Sequence, residues 1–226
     1  MATGPNEAIQ GSLAEITEPQ VRLLTTRFVR YLAEEDISTH PLGDLARHAA
    51  DLIDFARVRP ADEALVRTSG DNDSSDSALQ VVTDDMPFLV DSVTNALGVA
   101  GLALHLVVHP QLVVRRDADG RLLEILDIDV DDARPEGTLA ESWMWIEIEH
   151  DYTEGSAAAL AENISGVLLD VRLAVRDWRA MRSRALIIAE EISAHRPPQT
   201  AQRPAGAATT DGAGPVRQAG WLSQTH

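Results

Sequence analysis

The chain has no cysteine and no lysine among its 226 residues. Without cysteine there is neither a disulfide nor a thiolate metal site, and the redox compartment stays open. Without lysine, Schiff-base chemistry, the phosphate-loop lysine and a lysine general base are excluded. All 19 basic residues are arginine, a bias that fits a GC-rich genome. Long apolar runs are missing as well. No stretch approaches the roughly 18 apolar residues that span a bilayer, and no basic region followed by an apolar stretch marks a secretory leader. A cytoplasmic location is the expectation. Positive charge is scarce: 36 acidic residues leave a net charge of −17. Nucleic acid would be repelled by that charge, so neither nucleic acid nor membrane is expected as a partner.

What is present centres on Thr83–Ser92, TDDMPFLVDS. The apolar run Ala78–Val82 reads as a strand that stops at Asp84 and Asp85. Pro87 suits the first turn of a helix, where its missing N–H is no loss. Leu89, Val93 and Leu97, with Ala96 and Ala100, then repeat at helical spacing, and Gly98 and Gly101 supply the stop. The segment is therefore a strand, an acidic turn and an amphipathic helix. Turns of this kind hold small ligands in α/β modules; equally, Asp84 or Asp85 can simply cap the helix.

Residues 1–18 carry little pattern and are expected to be frayed. Val21, Leu24, Phe28, Tyr31 and Leu32 predict one helix. Leu42, Leu45, Ala49, Leu52, Ile53 and Ala56 predict a second, closed before Pro60. Ala64–Thr68 reads as a short strand and Ser69–Ser77 as a flexible loop. Leu102–Arg116 is rich in β-formers but holds Pro110, so it is an edge strand, a bulge or two strands in sequence. Asp117–Gly120 reads as a hairpin turn answered by a strand over Leu122–Val130. In Ser142–His150, Met144, Ile146 and Ile148 alternate with Glu147 and Glu149, placing Trp143 and Trp145 on the wetter face. Ser156 caps a long helix through Leu160, Ile164, Val167, Val171, Val175 and Trp178. After His195, Pro, Ala, Gly, Thr and Gln without periodicity predict disorder.

No catalytic signature stands by itself: there is no G-x-S-x-G elbow, H-E-x-x-H or phosphate loop. Gly212 and Gly214 begin a dinucleotide fingerprint that Pro215 and Arg217 break. His105 and His109, four apart on a strand, are separated by roughly 13 Å and read as a poor metal pair; no metal site is expected. Asp84, Asp85 and Asp91 beside a helix start are ordinary dipole partners, and could also be a divalent-cation site or an acid/base pair. Trp143, Trp145 and Trp178 are either a contact patch or core under helices.

Asp84–Ser92 (DDMPFLVDS), Gly101, His109–Pro110, Arg116–Asp117 with Gly120, Glu141–Trp143 (ESW), Ile146–Ile148 and Asp170–Met181 (DVRLAVRDWRAM) form an ordered string. That string resembles the N-terminal region of the large bacterial NAD-specific glutamate dehydrogenases, over roughly residues 20–192. The resemblance implies a regulatory ACT-like domain ahead of a catalytic part that this chain lacks. In that family NAD is the cofactor; none is expected in this chain. The family's usual mechanism needs a substrate-activating lysine, absent here. The resemblance also implies an amino-acid effector at the first strand–helix turn, with Asp84, Asp85, Pro87, Phe88, Asp91 and Ser92 as candidates. Trp143 and Trp145 are the candidate interface toward the catalytic part or another subunit.

The expected fold is α+β: a mainly antiparallel, ACT-like or ferredoxin-like sheet with helices on one face. The expected divisions are a disordered 1–18, a helical pair at 19–60, an ACT-like domain at 61–192 and a low-complexity tail at 193–226. ACT domains run βαββαβ, so the extra hairpin and missing last strand depart from the pattern, with Ala64–Thr68 the candidate for the missing edge. The expected function is the regulatory and assembly portion of the dehydrogenase, without catalysis, on a chain truncated before its catalytic part. The alternative is a free-standing amino-acid-sensing or interaction module.

Overall fold

Seven successive buried residues, Ser77 to Thr83, make one strand the axis of the molecule. A strand buried on both faces needs a layer on each side. The computed structural model describes residues 5–33, 36, 39–69, 77–148 and 154–194. Its elements are α1 (Pro5–Ala14), α2 (Pro19–Val29), α3 (Leu42–Phe55), β1 (Leu65–Ser69), β2 (Ser77–Asp84), α4 (Leu89–Val99), β3 (Leu104–Val108), β4 (Gln111–Arg116), β5 (Leu122–Leu126), β6 (Thr138–Ile148) and α5 (Glu154–Ala194). The chain divides into two units, Met1–Arg182 and Ser183–His226. The first carries the sheet; the described residues of the second, 183–194, are helical.

The sheet runs β1-β2-β6-β4-β5 with β3 also on β6, and every ladder is antiparallel. Side-chain alternation sends Leu79 and Val81 of β2, with Met144, Ile146 and Ile148 of β6, to one face. There they pack on Leu89, Val93 and Leu97 of α4 and on Leu160, Ile164 and Leu168 of α5. Ala78, Val82, Trp143 and Trp145 go to the other face, beneath Leu24 and Phe28 of α2 and Leu45, Ala49 and Leu52 of α3. Each fully buried Leu or Phe contributes about 1.5–3 kcal/mol relative to exposure. The fold is thus the expected α+β, ACT-like arrangement. Its paired helices α4 and α5 share one face, and the preceding helices cover the other.

Pro110 splits the long apolar stretch into two strands in sequence. β3 and β4 both run along β6, and His109–Pro110 stands between the last pair of one, Val108↔Trp145, and the first of the other, Gln111↔Ser142. Pro110 has no N–H to give the ladder, but its carbonyl accepts from the Trp143 N–H at 3.0 Å. The early strand β1 takes the sheet edge beside β2, and β4–β5 is the extra hairpin.

Four expectations are corrected. Residues 5–14, read as frayed, form α1. Pro87 lies outside α4, which follows Phe88 in left-handed conformation at φ 71° with no side-chain cap. Ser156 lies inside α5, which begins at Glu154. Trp143 and Trp145 are 0% and 2% exposed, so they are core and not an exposed contact patch. The helix pair predicted from the sequence is what covers them. The loop at 70–76 and the tail from 195 fall outside the described residues. Among the described residues no helix is long and apolar enough to cross a membrane.

Candidate functional site

The register of β2 on β6 creates an electrostatic problem at the strand ends. Asp84 stands directly opposite Glu141, and like charges facing each other across a ladder destabilise it. Arg59, in the connection between α3 and β1, resolves the conflict. Its Nη2 donates to Asp84 Oδ1 at 2.6 Å and to Glu141 Oε1 at 2.8 Å, while its Nε donates to the same Glu141 oxygen at 3.0 Å. From the end of β4, Arg116 donates through Nε to Glu141 Oε1 at 2.7 Å and through Nη2 to Oε2 at 2.9 Å. Trp143 Nε1 completes the set at 2.8 Å from Oε2. On the outer side, Arg172 of α5 meets Asp84 Oδ2 at 2.7 Å.

This centre is dry. Glu141 is 0% and the Arg59 side chain 1% exposed. Burial alone would raise the Glu141 carboxyl. The hydrogen bonds from Arg116, the charges of Arg59 and Arg116, and the Trp143 N–H outweigh it and hold the group below the usual carboxylate range. Burial likewise opposes the charge on Arg59, and Glu141 and Asp84 overcome it, so its guanidinium is more firmly protonated than usual.

Backbone geometry fixes the position of Arg59. Its N–H donates to the Gly120 carbonyl at 3.0 Å, which also accepts from Arg116 Nη1 at 2.9 Å. Gly120 has φ +78°, and a Cβ there would lie 2.2 Å from the Arg59 carbonyl oxygen. Only glycine fits.

Asp85 is engaged too. Its Oδ1 accepts from Ser142 Oγ at 2.5 Å and from Gln111 Nε2 at 2.9 Å. Neither acid caps α4, and neither offers a carboxylate without protein partners. His109, after β3, buries its Nε2 without a hydrogen-bond partner; burial lowers its pKa, with the nearby Asp85 charge opposing. His105 is exposed. Among the described residues no group of three or more His, Cys, Asp or Glu is placed to hold a metal ion.

The other candidates lie elsewhere. Phe88 and Ser92 line a groove of about 440 Å³ between α4 and α5, together with Asn95, Ala96, Val167, Asp170, Val171 and Ala174. Pro87 and Asp91 are exposed and do not line it. The six turn residues therefore do not form one site: Asp84 joins the arginine network, Asp85 is held by Ser142 and Gln111, Phe88 and Ser92 line the groove, and Pro87 and Asp91 belong to neither. Arg59 carries no local signal as a member of that network. Glu141, Arg116 and Arg172 were visible only as parts of the ESW, Arg116–Asp117 and DVRLAVRDWRAM strings.

The network can hold strand ends together, but it leaves no basic or nucleophilic group free for reaction. Seven of the residues that carry the family resemblance (Asp84, Asp85, Arg116, Gly120, Glu141, Ser142 and Trp143) lie in or beside this network. A family model described as glutamate dehydrogenase, ACT1 domain, matches residues 24–164. Among similar proteins, the NAD-specific glutamate dehydrogenase of Pseudomonas aeruginosa is 30% identical over 189 residues, covering 79% of this chain and 11% of that protein. The NAD-specific glutamate dehydrogenase of Halomonas elongata is 29% identical over 199 residues, covering 85% of this chain and 12% of that protein. The chain thus spans little more than a tenth of the curated relatives it matches.

Proposed function

The chain belongs to the glutamate dehydrogenase ACT1-domain family, and from that premise we propose that it is the N-terminal regulatory and assembly portion of an NAD-dependent glutamate dehydrogenase. In such an enzyme glutamate, NAD and water give 2-oxoglutarate, ammonia and NADH. This chain contributes no reacting group. The observation that carries the reading is the Arg59–Glu141–Arg116 centre, where every charged group is spent on another. A buried, mutually satisfied network serves to hold elements in register, whereas a catalytic carboxylate needs an open, poised acceptor. The absence of lysine supports the same reading.

Within this reading the assembly role stands ahead of effector capture at Asp84 and Asp85. A carboxylate receiving an amino-acid ammonium must be open to it, and both already accept from protein donors. The partner is the catalytic part of the dehydrogenase or another subunit, in the cytoplasm. The test is co-purification of this chain with the Pseudomonas aeruginosa relative lacking its matching segment; stable association is expected. Calorimetry with the common amino acids on the wild type and Asp85→Ala checks the effector role. NAD reduction by the purified chain with glutamate would overturn the non-catalytic assignment.

A further inference from the structure

Among the described residues three strands have a single partner: β1 on β2, β5 on β4 and β3 on β6. Such a strand turns the N–H and C=O of every second residue away from the sheet. On β5 the outward residue is Ile125, and its main chain is already taken. Its N–H donates to Gln20 Oε1 at 2.6 Å and its carbonyl accepts from Gln20 Nε2 at 3.4 Å. Farther along, Arg27 of the same helix donates to the Ile128 carbonyl at 3.2 Å, so α2 closes that edge. β3 is left open. The Trp143 N–H donates to the Pro110 carbonyl, so Trp143, and by alternation Trp145 and Glu147, turn their main chain toward β4 and β3. Their partners Val108 and Leu106 face inward. Val107 and His109 therefore face outward, and among the described residues nothing bonds their main chain there.

We propose that a second copy of this chain adds its own β3 to this edge, antiparallel about a two-fold axis beside Val107. Val107 of each copy then exchanges both main-chain bonds with Val107 of the other, as an isologous contact requires. Charge selects the occupant. At a net −17, two copies repel wherever their acids face each other. The 23 residues from Ser92 to Val114 hold no Asp, Glu, Lys or Arg. They supply the open edge and the surface beside it, where Val99 is 83% and Leu104 36% exposed. Asp127 and Asp129, which follow β5, are paired with Arg27 and Arg30. The stretch around β1 differs: Asp62–Asp76 holds five acids and one arginine. An edge dressed with acids suits a basic partner, whereas an edge stripped of charge suits a partner of the same sign. A bulge between Leu104 and Leu106 and the proline at 110 bound the open stretch, so the ladder is short and the contact reversible. The contact gives the assembly role a surface. Its test reads association of the chain alone, so its failure leaves the dehydrogenase assignment standing, and the reverse holds too.

Sedimentation velocity on the full chain should show a concentration-dependent dimer and no larger species. Added salt should strengthen it, since screening removes the repulsion between copies while the contact holds no ion pair to lose. The Val107 amide should exchange at least about tenfold more slowly at high protein concentration than at low, with the inward Leu106 amide unchanged. Val107→Pro deletes the outward N–H and spares the β3–β6 bonds. It should weaken dimerisation at least about tenfold with the circular dichroism spectrum preserved. His105→Glu alters an exposed side chain and should weaken the dimer in low salt and less so in high salt. A chain that stays monomeric at its highest soluble concentration in high salt would overturn the proposal. So would a dimer that persists unchanged in both variants, a Val107 amide indifferent to concentration, or a series of larger species, which needs a second edge.

Discussion

Glu141→Gln is the sharpest test of the charge network. The substitution keeps the shape of the side chain and removes the charge that two buried guanidiniums share. The carboxylate accepts from Arg59 Nε and Nη2, Arg116 Nε and Nη2, and Trp143 Nε1, all between 2.7 and 3.0 Å. An amide can accept on one side only, so its NH₂ would face a guanidinium as donor against donor. Removing one partner of a buried pair costs about 3–5 kcal/mol, because a buried charge is left uncompensated. An exposed pair is worth about 0–1 kcal/mol. Domains of ordinary stability have about 5–15 kcal/mol in total, so the two cases are easily separated. With a urea dependence of about 2 kcal/mol per molar, the unfolding midpoint should fall by about 2 M. Tryptophan fluorescence is the natural probe, since Trp143 is fully buried and bonded to the altered group. Circular dichroism should report the same midpoint. A double-mutant cycle with Arg116→Met should give a coupling of about 1–3 kcal/mol. The pH dependence has a definite sign. The folded-state pKa of Glu141 is depressed, so its contribution is complete above the unfolded carboxylate value and is lost as pH falls through the folded one. Wild type and Glu141→Gln should therefore converge only below about pH 4. A loss under about 1 kcal/mol at neutral pH would refute the reasoning, since that is the size of a solvated pair.

Gly120→Ala should destabilise by at least about 2 kcal/mol, from left-handed backbone strain and the clash with the Arg59 carbonyl. Gly98→Ala, in α4 with open space around it, should instead stabilise by about 0.5–1 kcal/mol in the same urea experiment. Arg172→Ala should cost only about 0.5–1.5 kcal/mol and lose most of that effect in high salt, because the Asp84 it meets is partly solvated. His40 donates from Nε2 to Glu147 at 2.9 Å and from Nδ1 to the Asp36 carbonyl at 2.9 Å, so both ring nitrogens need protons. Burial opposes that charge, but the Glu147 and Asp36 contacts prevail and raise the pKa. The contact then stabilises fully below the unfolded histidine value of about 6.5 and is lost as pH rises through the higher folded value. His40→Ala should accordingly lower the melting temperature in mild acid and leave it unchanged at alkaline pH. Phe88→Gly should raise the melting temperature, with a gain of up to about 1 kcal/mol, by relieving the left-handed conformation of a ring that is mostly exposed.

The helices under strong period were legible from their apolar spacing, because each presents one face to the core. Val21, Leu24 and Phe28, Leu45, Ala49 and Leu52, and Leu89, Val93 and Leu97 are all buried as spaced. The break at His109–Pro110 was legible too, since proline has no donor for the ladder. β6 misled in a specific way. Glu147 shares a face with Trp143 and Trp145, and a glutamate suggests water. In the fold that face lies under α2 and α3, and Glu147 is met by His40. The charge network was invisible for a related reason. Glu141 and Arg59 are 82 residues apart, and a lone glutamate in a strand reads as solvent-facing until its register is known. The acidic turn suggested a cap or ligand because those uses are local, whereas its real partners come from the α3–β1 connection, β4, β6 and α5.

The network also explains why the two helical layers are not independent. Arg116 donates to the Ala56 carbonyl at the end of α3, while Asp84 is tied to Arg172 of α5 on the opposite face. Between them run Glu141 and Arg59, buried and saturated. Solvation grades the path: Asp84 is 31% exposed and Arg172 18%, whereas Glu141 is closed to water. A perturbation arriving at α5 therefore meets its weakest link at the outer pair and its strongest at the centre. Screening and competing water make Arg172–Asp84 the contact that can open without unfolding the sheet. The inner pair cannot, because opening it exposes two guanidiniums to an apolar interior. The outer pair can therefore part and re-form while the ends of β2 and β6 keep their register.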